Sequence, residues 1–319
     1  MLYINLFQKI KAKKIRIGNI SLYSYMESLS DKYDIRIVDE KFIKNFLPKR
    51  DRFANKFSFG KALLVCGSYG MAGAAALAAK AAFSCGCGYV NIAIPDSAYP
   101  VAAEIIPEAV FAPLPDSDHL KPEHIDKIQS LQSSASAILI GCGLSLSEET
   151  KTAVKEILSA TDIPAVIDAD GINSIADSIE ILERTNWEKI ITPHHGEMAR
   201  LCSKSAQDIQ EDFISVAADF AKEHNTIVVL KGAVTAIADP SGKVYVNFLK
   251  GNSGMAVAGC GDMLAGMICA FLAAGCDCFE ASAASVYLHA SAGDRAAKRY
   301  SQRSITPTDM IAELPYLFK

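Results

Sequence analysis

Basic charge is scarce in this chain. Its 319 residues carry 32 Lys and Arg against 36 Asp and Glu, a formal charge of -4, and beyond the first fifteen residues no cluster of cations interleaves with aromatic rings. That balance argues against a nucleic-acid partner. Long apolar runs are missing too: the longest, 71–83 and 263–275, are rich in Ala and Gly and too short to cross a bilayer. The N-terminus lacks the apolar core and cleavage site of a secretory leader. We therefore expect a soluble, cytoplasmic protein with no membrane partner. Cysteine pairs of the C-x-x-C type are absent as well. The nine thiols, Cys66, Cys85, Cys87, Cys142, Cys202, Cys260, Cys269, Cys276 and Cys278, lie mostly in apolar segments. Such contexts suit reduced cysteines and give no reason to assign them a metal.

Apolar residues, by contrast, make up 50% of the chain, enough for a large core. Residues 1–40 alternate short apolar and basic pieces, carry no recognisable chemistry, and read as an N-terminal extension, either an arm or a strand; 41–319 read as one domain. From Phe59 onward, apolar strand-like runs alternate with Ala-rich helical ones. Strands are expected at 62–66, 89–94, 137–141, 165–168, 189–192 and 226–230, with helices near 73–85, 122–132, 147–160, 174–184 and 207–224. This rhythm implies right-handed βαβ units and an α/β fold whose mostly parallel sheet is covered on both faces. After Leu230, strands at 234–239 and 243–248 flank a Pro240-Ser241-Gly242 turn and predict an antiparallel addition at one sheet edge. Helices at 261–274, 278–299 and 307–314 close the chain. In open sheets of this kind, ligands bind at the carboxyl ends of the strands.

The residues with chemical character fall at those ends. The run from Gly251 to Gly266 sets Asp262 after a glycine-rich turn and ahead of an apolar helix. Glycines at 259 and 261 allow backbone N–H groups to approach an anion, the helix start favours phosphate, and Asp262 is placed to take a proton from an attacking hydroxyl. The competing reading is a flexible loop followed by an Asp N-cap. Gly67-Ser68-Tyr69-Gly70-Met71-Ala72-Gly73-Ala74 matches neither a dinucleotide fingerprint nor a P-loop, and reads equally as a ligand loop or a tight packing turn. Gly141-Cys142-Gly143 is another small-residue strand end. Asp168 and Asp170 either hold Mg²⁺ through water or cap a helix. Thr192-Pro193-His194-His195-Gly196-Glu197 points to a site role for His194, with Glu197 near the metal or capping its helix. Lys231-Gly232-Ala233-Val234-Thr235 reads as a nucleotide contact or a simple hairpin bend, and His289 as a core residue.

Six segments in this order resemble the ADP- or ATP-dependent NAD(P)H-hydrate dehydratases, a branch of the ribokinase-like superfamily. Departures are Cys142 where that family usually has proline, Cys260 where it has Ser or Thr, Gly171 where it often has Ala, and Phe57 in place of a common glycine. Residues 1–40 fall outside the match, and the epimerase domain fused to many bacterial relatives is expected to be absent. The resemblance implies a three-layer α/β/α fold and repair of hydrated NADH and NADPH, through phosphorylation of the C6 hydroxyl and elimination of phosphate. It implies Asp262 as the base, Ala74, Gly143 and His194 as contacts to the hydrated dinucleotide, and Lys231, Gly232, Ala233, Val234, Thr235, Gly259 and Gly261, with Asn252, at the nucleotide. Mg²⁺ is expected on the donor phosphates, held by them and by water rather than by protein ligands. Relatives also suggest a homo-oligomer, with a tetramer as one form. The rival reading is a kinase of the same superfamily acting on a small alcohol such as a vitamin precursor.

Overall fold

Runs such as Ala137–Ile140 and Ile227–Leu230 are apolar at every position because both faces of their strands are covered. The computed structural model describes residues 2, 4–183 and 187–318. Among them β1 (Arg16–Ile17) and β2 (Ile20–Ser21) form a small hairpin. A ten-stranded sheet contains β3 (Asp34–Ile37), β4 (Lys61–Val65), β5 (Tyr89–Pro95), β6 (Val110–Leu114), β7 (Ala137–Ile140), β8 (Ala165–Ile167), β9 (Lys189–Ile191), β10 (Ile227–Leu230), β11 (Thr235–Ala238) and β12 (Lys243–Asn247). Its order is β3-β12-β11-β10-β9-β8-β7-β4-β5-β6, and only β11 runs against its neighbours. Two apolar cores, one on each face, pack the sheet between layers of helices.

Strand order reverses between β4 and β7: β5 and β6 lie to one side of β4, while β7 through β10 lie to the other. A crevice opens at such a switch point, at the carboxyl ends of the strands. Over it pack the helices Ala72–Ser84 and Cys260–Ala273. They approach so closely that a Cβ at Gly266 would fall 2.1 Å from the Ala78 carbonyl oxygen. The run of alanines between 72 and 82 thus lowers helix–helix distance and fixes the glycine turn above the sheet.

Several elements depart from the sequence expectation. The antiparallel pair is present, but Asp34–Ile37 from the N-terminal segment lies beyond it as the edge strand, parallel to β12. Of the two forms left open for residues 1–40, a strand is therefore present. Tyr25 donates to Asp212 at 2.9 Å and Lys32 pairs with Asp219 at 3.0 Å, tying the same segment to the helix Phe213–Glu223 and the residue before it. The helix expected over 174–184 is the shorter Asp170–Ile175, followed by a single turn at Ile179–Ile181; residue 184 lies outside the described residues. The expected helix over 207–224 breaks at Asp212 into two. Strand β6 was not anticipated: Pro113 interrupts its pattern, and only an edge strand tolerates that.

Candidate active site at the strand switch point

Asp168 follows β8 directly and is 1% exposed. A charge so deep needs partners. Lys231 Nζ, at the end of β10, donates to its Oδ1 at 2.8 Å, and the Thr192 hydroxyl, at the end of the intervening β9, donates to the same oxygen at 2.6 Å. The Cys142 thiol, after β7, lies 3.7 Å from Oδ2. Four adjacent parallel strands thus each deliver one polar group to one point. Burial alone would lower the Lys231 pKa, but the charges of Asp168 and Glu197 outweigh it and hold the ammonium above its usual value. A hydrogen bond with the Cys66 thiol, with burial, keeps the Cys142 thiol well above its ordinary range, so it is protonated.

Asp262 stands directly over this cluster. Its carboxylate, that of Asp168 and the Cys142 sulfur all lie within 4.8 Å of one another. Burial, and then the charge of Asp168, push the Asp262 carboxyl up to about 6. The turn that carries it depends on glycine: Gly259 has φ 92°, left-handed, and begins the helix Cys260–Ala273 with no side chain capping its free N–H groups. A Cβ at Gly261 would sit 3.4 Å from Lys231 Nζ and 3.7 Å from Asp168 Oδ2, so the ammonium rests against the first turn of that helix. An acid with a near-neutral pKa, an open helix start and a fixed cation form a site for a hydroxyl and a phosphoryl group.

The other anticipated segments border the cluster. Gly67 N–H donates to the Cys142 carbonyl at 2.8 Å, the Ser68 hydroxyl donates to the Gly143 carbonyl at 2.9 Å, and a Cβ at Gly143 would meet Ala74 at 2.9 Å. Ala74 and Gly143 are therefore neighbours on one wall. His194 caps the helix His195–Cys202: its Nδ1 accepts from Gly196 and Glu197 N–H, while Glu197 Oε2 accepts from His194 N–H at 2.8 Å. Glu197 is thus a cap. With Nδ1 accepting, the neutral ring carries its proton on Nε2, and the side chain is 60% exposed. Lys231 N–H donates to the Pro193 carbonyl at 2.8 Å, which joins the 192–197 and 231–235 segments. Within the latter, Thr235 Oγ1 donates to the Gly232 carbonyl at 3.2 Å, bracing the turn through Ala233 and Val234.

Two positions sit differently from the expectation. The Asp170 carboxylate accepts from Ser145 N–H at 2.9 Å and makes no side-chain cap to the helix Asp170–Ile175, so the capping alternative for the 168–170 pair is not what forms. Asn252 Nδ2 donates to Asp294 at 3.0 Å and Oδ1 accepts from Gly254 N–H at 3.0 Å, which faces the residue toward a separate cavity. His289 is buried as expected, close to the Cys260 backbone and to Lys231, with its Nε2 unpartnered among the described residues. The sequence reading missed the role of Asp168 as the partner of Lys231. An Asp after β8 and a Lys after β10 are the signal, readable only once the strand order is known.

Comparison with known proteins identifies the family. A family profile described as NAD(P)H-hydrate dehydratase matches residues 62–316. The bifunctional NAD(P)H-hydrate repair enzyme of Moorella thermoacetica is 37% identical over 289 residues, covering 90% of this chain and 54% of that protein. This chain thus spans about half the length of such bifunctional relatives. The ADP-dependent (S)-NAD(P)H-hydrate dehydratase of Bacillus subtilis is 31% identical over 280 residues, 88% of this chain and 96% of that one. A crystal structure of the Bacillus subtilis ADP/ATP-dependent enzyme, co-crystallised with ATP and Mg²⁺, superposes with a TM-score of 0.76 at 30% identity, over 88% of this chain and 97% of that one. A ribokinase-like protein from Enterococcus faecalis aligns equally well, at 0.76 and 25% identity over 89% and 95% of the two chains. With the profile spanning most of its length and its glycine turn built on the ribokinase-like sheet, the chain belongs to the NAD(P)H-hydrate dehydratase family.

Proposed function

We propose that the chain dehydrates the S epimer of hydrated NADH and NADPH, using ADP or ATP as phosphoryl donor. The observation that carries the reading is the Asp262 carboxyl, held at about 6 over the Asp168–Lys231 pair and at the mouth of an uncapped helix. An acid with a pKa just below neutrality is ionised where an enzyme works yet basic enough to accept a proton, which suits a general base. Asp262 takes the proton of the C6 hydroxyl as its oxygen attacks the terminal phosphoryl group. N–H groups at 259–261 and the Lys231 ammonium hold the negative charge that builds on that group. Hydroxide is a poor leaving group and phosphate a good one. Once O6 is phosphorylated, the ring nitrogen pushes phosphate out and loss of the C5 proton restores the double bond.

Ala74 and Gly143 leave room for the dinucleotide along one wall, and His194 presents its Nε2–H beside it. Turn residues 231–235 and Gly261 border the donor nucleotide, whereas Asn252 faces the separate cavity. Mg²⁺ bound to the donor phosphates would supply charge screening. The oxygens of Asp168 and Asp262 suit that hard cation through water, whereas the Cys142 thiol does not.

The test is turnover of the purified chain with hydrated NADH, Mg²⁺ and either nucleotide. Regain of reduced-nicotinamide absorbance with release of one phosphate per turnover is expected. No regain with ADP or ATP overturns the reading, and comparison of the two rates names the donor. A kinase of a small alcohol would instead accumulate a stable phosphate ester.

A further inference from the structure

A cavity of about 640 Å³ opens between the helix Glu40–Phe46, the far face of the helix Cys278–Arg299 and the C-terminal turn Leu314–Leu317. It is not part of the catalytic cluster. Its lining residues Tyr287, Ser291, Asp294, Arg295 and Lys298 recur at helical spacing along one face, whereas His289, two residues from both Tyr287 and Ser291, turns the opposite way toward Cys260 and the glycine turn. The helix wall from the N-terminal segment and the residue Phe318 also lie outside the stretch matched by the family profile.

We propose that this cavity binds a nucleoside monophosphate-type ligand, an aromatic ring carrying a phosphate, separately from the donor site. Four cations line it, Lys44, Lys250, Arg295 and Lys298, against two acids, Glu40 and Asp294. Lys44 is paired with Glu40 and Arg295 with Glu313. Neither Lys250 nor Lys298 makes an ion pair among the described residues; Lys250 lies near enough to Glu40 for its charge to help hold that carboxyl down, and cations still outnumber acids around the space. Asp294 spends its oxygens on Gly251 N–H and Asn252 Nδ2. Rings are present too: Tyr287, which Lys250 approaches at 5.8 Å, and Tyr316, over which Arg295 lies at 5.2 Å. Ser291 also belongs to the wall, 6% exposed, with its hydroxyl buried beneath the lining. The volume falls in the range of small-molecule sites.

The arrangement also links the cavity to the catalytic turn. Asn252, held by Asp294, begins the turn Ser253–Met255 that leads to Gly259. Occupancy therefore bears on the same loop that carries Asp262, while the cavity itself needs no dehydratase chemistry.

Hydrogen–deuterium exchange of the full chain with AMP separates the two sites in one measurement. AMP is expected to protect 40–47 and 314–318 as well as 231–235 and 259–262. In Lys298→Glu, at least tenfold more AMP is expected for protection of 40–47, with 231–235 unchanged and dehydratase turnover at saturating donor within twofold of wild type. Lys44→Glu, also exposed, serves as the second variant should Lys298→Glu fold poorly. Adenosine without its phosphate is expected to protect 40–47 at least tenfold less well. Protection confined to 231–235 and 259–262, or protection of 40–47 indifferent to both substitutions and to the phosphate, overturns the proposal. Failure of the dehydratase assay leaves the protection pattern at 40–47 to be read on its own.

Discussion

Replacing Asp262 by Asn is expected to remove most of the activity and to stabilise the fold at the same time. The carboxyl rises from 3.8 to about 6, chiefly through burial and then through the charge of Asp168. A rise of about 2.2 units at about 1.36 kcal/mol per unit corresponds to about 3 kcal/mol of destabilisation when the group is ionised. Asp262 keeps some solvent contact, so about 1–2 kcal/mol is the expected gain for the neutral isostere. The sign follows from the direction of the shift. Below pH 3.8 the carboxyl is protonated in both folded and unfolded chains and costs nothing; through the window from 3.8 to 6 the unfolded chain ionises first, and above 6 the full cost is present. Guanidinium unfolding of wild type and Asp262→Asn at pH 7.5 should show the gain, and at pH 4.5 it should shrink to about a third. Turnover should fall on the order of 100-fold or more if the carboxylate is the base. A variant no more stable than wild type at pH 7.5, or a gain indifferent to pH, refutes the account of a charge held against its own environment.

Two more outcomes follow from the same cluster. Asp168→Asn removes a like charge within 4.8 Å of Asp262, an interaction of about 0.9–3.5 kcal/mol for an effective dielectric of 80–20, or about 0.6–2.5 pKa units. It also frees Lys231 to act on Asp262, so the acid limb of the rate profile should move down by at least about 0.6 unit, with reduced turnover; an unmoved or raised limb counts against the arrangement. His194→Ala should cost about 1 kcal/mol by uncapping its helix and raise KM for the hydrate, read by thermal unfolding and steady-state kinetics. His194→Asn keeps a capping oxygen and should recover the stability alone, whereas recovery of KM as well would make the residue a cap and nothing more.

Much of the sheet is legible in the sequence because its central strands are buried on both faces and carry uniform apolar runs. Asp34–Ile37 is legible only as one of two open forms, since it is an edge strand with alternating burial and only two inward positions, Ile35 and Ile37. The glycine turn announces itself through composition, and Asp262 with it. The pairing of Asp168 with Lys231 spans 63 residues and exists only because β9 lies between β8 and β10. No local pattern encodes that adjacency. His194 illustrates an intermediate case: its position at a strand end is readable, but its capping of the following helix through Nδ1 needs coordinates.

The placement of β3 beyond β12 has a consequence for how the chain can be handled. Val244 through Val246 pair with Ile35 through Ile37 on one side and with β11 on the other. A version trimmed to residue 61 would leave β12 with an unmet row of amide and carbonyl groups, an invitation for two copies to zip together edge to edge. Precipitation of a shortened form would then report a missing cover strip rather than damage at the glycine turn.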